Sequence, residues 1–186
     1  MLNILKGFLP WILFSVLYGN TPGQFEIALW IALISTVILD RSSFKEGNIL
    51  SWVSLVYFLL LLVSCYYFPS PWLQANMWVV SNGVLASMAF GSCLAKQPFT
   101  YQYAKKQVPK AHWNSSLFIQ INTILTYIWG VIFLLTALID WVHVHHAHMN
   151  TVLFLILNNL GWFVGMAISK KFPPYWKKRK QEGASV

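Results

Sequence analysis

The chain has 186 residues, of which 57% are hydrophobic and only 10% charged, with thirteen Lys and Arg against five Asp and Glu. Globular chains average about 25% charged residues and under half apolar ones. A soluble domain of this length has too little interior to hide so much apolar surface, so lipid is the expected solvent. The same figures exclude a secreted disulfide scaffold, a disordered tail and a DNA-binding domain.

Six apolar stretches are long enough, or nearly so, to cross a hydrocarbon core of about 30 Å at 1.5 Å per residue. Helix is the expected form of each, because unpaired backbone groups cannot face lipid. The first, at 2–18, carries Lys6 and Pro10. Its end, Val16-Leu17-Tyr18-Gly19, lacks the small-x-small pattern of a cleaved signal, so it is read as a retained span. The second, at 25–39, offers about 22 Å of helix and must borrow a turn from its flanks. The third runs over 49–68 and the fourth over 72–95, parted by Pro69-Ser70-Pro71. A longer loop, Lys96–Ser116, leads to the fifth at 117–139. Asp140–Asn150 is then the connection to the sixth, at 151–169. Pro173-Pro174 is expected to stop that helix and leave 172–186 as a basic cytoplasmic tail. The fold class is thus an all-α integral membrane bundle of six transmembrane helices, a single domain over 1–186 without an internal repeat.

Charge gives the orientation. With six spans, Lys6, Arg41, Lys45, Lys96, Lys105, Lys106, Lys110, Lys170, Lys171, Lys177, Lys178, Arg179 and Lys180 all fall on one side. Positive residues are retained in the cytoplasm, which places both termini there. The insertion rule accounts for every basic residue, so the net charge of +8 calls for no nucleic acid. Lys105 and Lys106 follow Phe99, Tyr101 and Tyr103, and Trp176 precedes Lys177, Lys178 and Arg179. Rings beside cations at headgroup depth suit anionic phospholipids.

Other candidate groups are polar or small. His143, His145, His146 and His148 are weak candidate metal ligands, because their spacing matches no catalytic zinc motif. Asp140 is expected at the outer end of the fifth span, and no carboxylate at mid-membrane. Asn82, Asn122, Thr126 and Asn158 can line a polar path between the fourth, fifth and sixth spans, or bond across helices. Gly83, Ser87 and Gly91 recur at i, i+4, i+8 in the fourth span, as Gly161, Gly165 and Ser169 do in the sixth. Small residues at that period let backbones approach, within one chain or in a homodimer. No nucleophile–base pair, phosphate loop or paired carboxylates is found, so no catalytic residue and no cofactor is assigned.

Several segments resemble one family. Phe8-Leu9-Pro10-Trp11-Ile12-Leu13-Phe14 resembles an F-L-P-apolar-F opening, and Lys96-Gln97-Pro98-Phe99-Thr100-Tyr101-Gln102-Tyr103-Ala104 a K-x-P-apolar loop. Trp113, Asn122 and Trp129-Gly130 resemble a W…N…W pattern entering the next helix. Together they are similar to bacterial membrane proteins grouped with the intracellular septation protein A family, although Asn122 and Trp129 lie further apart here. The resemblance implies an inner-membrane protein tied to envelope integrity, elongation or division, with other envelope or division membrane proteins as partners. It transfers no catalytic residue. The alternative is a small permease or lipid translocator using the Asn82, Asn122, Thr126 and Asn158 path.

Overall fold

The computed structural model describes residues 2–19, 21–146 and 150–182, and every regular element among them is helical. In chain order these are α1 (Leu2–Leu17), α2 (Pro22–Leu39), α3 (Arg41–Lys45), α4 (Ile49–Tyr67), α5 (Pro71–Ala75), α6 (Met77–Leu94) and α7 (Phe99–Ala104). Two 3-10 turns, Lys105–Gln107 and Lys110–His112, then lead to α8 (Ser116–His145) and α9 (Thr151–Glu182). Among the described residues, α4, α6, α8 and, from Val152, α9 are long and apolar enough to cross a membrane. Shorter apolar helices run over Ile4–Leu17 and Gly23–Leu39.

The chain forms two compact units, Met1–Pro71 and Trp72–Val186. In the first, α2 packs against both α1 and α4. Phe8, Trp11, Phe14 and Phe58 fill its core. Trp11 stacks on Tyr57 at 4.8 Å and donates its indole N–H to Ser54 Oγ at 2.7 Å, so a buried ring keeps its polar atom satisfied. The short second span does extend at its N-terminus. Thr21 and Gln24 form a capping box and Pro22 occupies the first turn, which starts the helix three residues before Phe25. Gly47, at φ +69°, ends α3 with the Asn48 N–H returning to the Ser43 carbonyl.

In the second unit, α8 is the central helix, with α6, α7 and α9 packed on it. Three boundaries differ from expectation. The fourth span is broken at Asn76, whose side chain donates to the Trp72 carbonyl at 3.0 Å and separates α5 from α6. The fifth does not end at residue 139: α8 continues to His145, so Asp140 is a helical residue and not part of a connection. The sixth runs through Pro173 and Pro174 to Glu182. Those prolines remove two helical donors, from the carbonyls of Ser169 and Lys170, yet the basic stretch after them stays helical. At 32 residues α9 is about 48 Å long, more than a hydrocarbon core requires.

Candidate functional site

Asp140 lies one and a half turns before the end of α8 and is 1% exposed. Asn82 of α6 donates to its Oδ2 at 2.8 Å, and Asn158 of α9 donates to its Oδ1 at 2.6 Å. One carboxylate therefore joins all three long helices of the unit. The second N–H of Asn82 is taken by the Trp78 carbonyl at 3.2 Å. No cation bonds Asp140 among the described residues. Two neutral amides are left to offset the cost of burying an ionised carboxylate, which is several kcal/mol.

Asn122 and Thr126 belong to a different cluster, at the end of the unit that carries α7. Asn122 bonds back to the Phe118 carbonyl at 2.8 Å. Thr100 of α7 donates its hydroxyl proton to the main-chain carbonyl of Asn122 at 2.7 Å and lies 2.8 Å from the Thr126 hydroxyl. A hydroxyl has a single proton, so Thr126 is the donor in that second contact. Thr126 and Asp140 are fourteen residues apart on α8, about 21 Å along the helix. Between them Trp129 and Phe133 are fully buried. The four residues proposed as one path are thus gathered as two pairs, one at each end of a packed aromatic middle.

The glycine stripes separate in the same way. A Cβ on Gly165 would stand 2.7 Å from the Trp129 ring, and one on Gly161 would stand 3.0 Å from Ile132. Trp129 also donates its indole N–H to Ser169 Oγ at 3.0 Å. The i, i+4, i+8 stripe of α9 is therefore the seat of side chains from α8. The stripe of α6 seats no side chain of its own chain, so the intramolecular packing expected of it is not seen: nothing lies within 4 Å of a Cβ on Gly83 or Gly91, and Ser87 is exposed. The buried positions of α6 are Met77, Ser81, Leu85, Ala86, Met88, Ala89 and Ser92, and none of the stripe is among them. Sequence reasoning missed Gly130, where a Cβ would stand 2.8 Å from the Phe90 ring of α6.

The histidines do not converge. His143 stacks on Phe154 at 3.9 Å, whereas His145 stacks on Trp141 at 4.9 Å and bonds its carbonyl at 3.0 Å. His146 meets the edge of the same indole. His148 lies outside the described residues, and no group of three metal-ligating side chains forms among those described.

The long loop is a folded cap. Lys96 takes φ +56° and the Gln97 N–H returns to the Ser92 carbonyl at 2.8 Å, which ends α6 and turns the chain into α7. Phe99, Thr100 and Tyr103 are then buried, anchoring α7 on α8. Lys105 Nζ sits 4.4 Å from the Tyr101 ring centre and 5.1 Å from that of Trp113, with Lys110 on the same indole at 5.9 Å. The Trp113 N–H holds the turn by donating to the carbonyls of Lys105 and Val108. Lys106 is exposed beside this cluster. At the far end of α9, Arg179 stands 5.8 Å from the Trp176 ring, and Lys177 and Lys178 are exposed. Trp176 Nε1 donates to Gln120 Oε1 at 3.4 Å, which joins this part of α9 to the start of α8. No protein-family model, no curated protein and no solved structure matches the chain.

Proposed function

We propose that this chain is a six-span protein of the bacterial inner membrane, with both termini in the cytoplasm, supporting envelope integrity or septation. On this reading it acts by holding anionic lipid and other membrane proteins, and has no reaction of its own. One observation carries it: the α7 cap orders Tyr101, Lys105, Lys110 and Trp113 into a single aromatic and basic surface. Rings at headgroup depth beside cations bind the anionic leaflet through about 1 kcal/mol per basic residue. The α1 and α2 apolar helices supply the two further spans, since a local thinning of the bilayer accommodates a short helix at modest cost. The test is lipid selectivity in nanodiscs. Phosphatidylglycerol should co-purify and raise the unfolding temperature over phosphatidylcholine, and Lys105→Ala with Lys110→Ala should remove most of that difference. Equal stability in both lipids would refute it.

A second reading, a permease or lipid translocator, rests on Asp140. A carboxylate within a membrane helix, facing a bundle interior, is where ion and substrate paths are found. It predicts flux in proteoliposomes that Asp140→Asn abolishes while the protein remains folded. Absence of flux in folded wild-type protein would leave the Asn82–Asp140–Asn158 cluster as an interhelical clasp.

A further inference from the structure

α9 packs on α8 along Gly161 and Gly165, and its other side is bare. Only 6% of its membrane-length window is buried. Val152, Ile156 and Phe163 are 64%, 57% and 73% exposed. With Asn159 they follow a 4, 3, 4 spacing, which is the seam of a left-handed helix pair. With Leu155 and Leu160 the same residues line a shallow groove.

Asn159 is the exception on this apolar face. It is exposed, and it lies eight residues into the helix, about 12 Å along it and so near the middle of a hydrocarbon core. One amide N–H goes to its own helix, at the Leu155 carbonyl, 2.8 Å away. The second N–H and the carbonyl oxygen are left for a neighbour. An acyl chain has no donor or acceptor to give them. Another protein would have to bring a polar group to the same depth. A second copy of this chain brings one by symmetry, because all copies insert the same way round and a two-fold axis along the membrane normal sets Asn159 against Asn159. An amide is its own complement, so such a pair makes two bonds across the axis.

We propose that this face of α9 binds a second copy of the chain, the two α9 helices running parallel about an axis beside Asn159. The Gly161 and Gly165 stripe is occupied by α8 and takes no part. The inference is independent of the envelope and transport readings, since it needs only insertion in one orientation.

The full chain would be tested with Cys65 and Cys93 replaced by Ala, in liposomes of phosphatidylethanolamine and phosphatidylglycerol. Energy transfer between labelled copies, followed as lipid dilutes the protein, reads self-association. Wild type should associate, Asn159→Leu should weaken it about tenfold, the order of two interhelical hydrogen bonds, and Asn159→Gln should restore most of it. Ile156→Cys and Phe163→Cys should each form disulfide dimers, while Leu134→Cys, exposed on α8, should not. Wild type that stays monomeric at every dilution would overturn the proposal. So would unchanged association in Asn159→Leu, or disulfide dimers that form as readily from Leu134→Cys as from Ile156→Cys and Phe163→Cys. Among the described residues the Asn159 side chain bonds only its own helix, so its substitution should leave the fold of each copy intact, checked by tryptophan fluorescence.

Discussion

Asp140 shows how much a single residue's meaning depends on its neighbours. In the sequence it stands next to a histidine-rich stretch, and its surroundings read as a wet turn. In the fold it is buried and shared between Asn82 and Asn158, because α8 extends past it by a further turn and more. Removing Asn158 strands one carboxylate oxygen in a dry site, and a buried unsatisfied acceptor costs about 1–3 kcal/mol. Asn158→Leu should therefore lower the unfolding temperature in detergent clearly, and Asn82→Leu should do the same. Thermal unfolding followed by intrinsic fluorescence checks this. Unchanged midpoints in both would mean that the carboxylate is solvated and not clasped.

At the scale of elements, the pairing of α8 with α9 is a matter of shape. Gly161, Gly165 and Ser169 leave a channel on α9 that the Trp129 indole fills, with its N–H on Ser169. Gly165→Leu drives new atoms into a fully buried ring, and overpacking of this kind costs about 1–3 kcal/mol or more. It should reduce the yield of folded protein and lower its melting point. Gly83→Leu, with open space around it, should cost little. Comparing the two variants by size exclusion and melting separates a packing stripe from one that faces out; equal damage from both would reject the distinction. The sequence showed both stripes with the same clarity, since period alone cannot say which side of a helix its partner occupies. The α7 cap was similarly half legible: its rings and lysines could be read as interfacial, but the burial of Thr100 against Asn122 and Thr126 depends on the turn at Lys96.

For the whole molecule, the arrangement of charge is the strongest testable statement. All thirteen basic residues fall on one side if α1 and α2 cross the membrane together with α4, α6, α8 and α9, the four helices long and apolar enough to do so. Single cysteines in a cysteine-free background should then be labelled from outside by an impermeant maleimide at Ser70 and Asn150, and only after permeabilisation at Glu46, Gln107 and Lys180. A cysteine at Thr21, between α1 and α2, should likewise be labelled from outside; labelling there only after permeabilisation, with Ser70 and Asn150 still labelled from outside, would remove the first two spans and leave four. Helical membrane character and the six apolar stretches were legible in the sequence because lipid imposes length and hydropathy directly on each segment. Helix ends were less so, because Pro173 and Pro174 are local signals whose effect was overridden, and because His143 stacks on Phe154 where the α8–α9 hairpin closes. The sequence by itself determined that the chain is helical, apolar and basic along one set of connections, properties carried by residues one at a time. Only the tertiary structure decided which of Asn82, Asn122, Thr126 and Asn158 meet. That choice depends on helix rotation and packing, and residues fourteen apart on α8 end about 21 Å apart however alike they look in the chain.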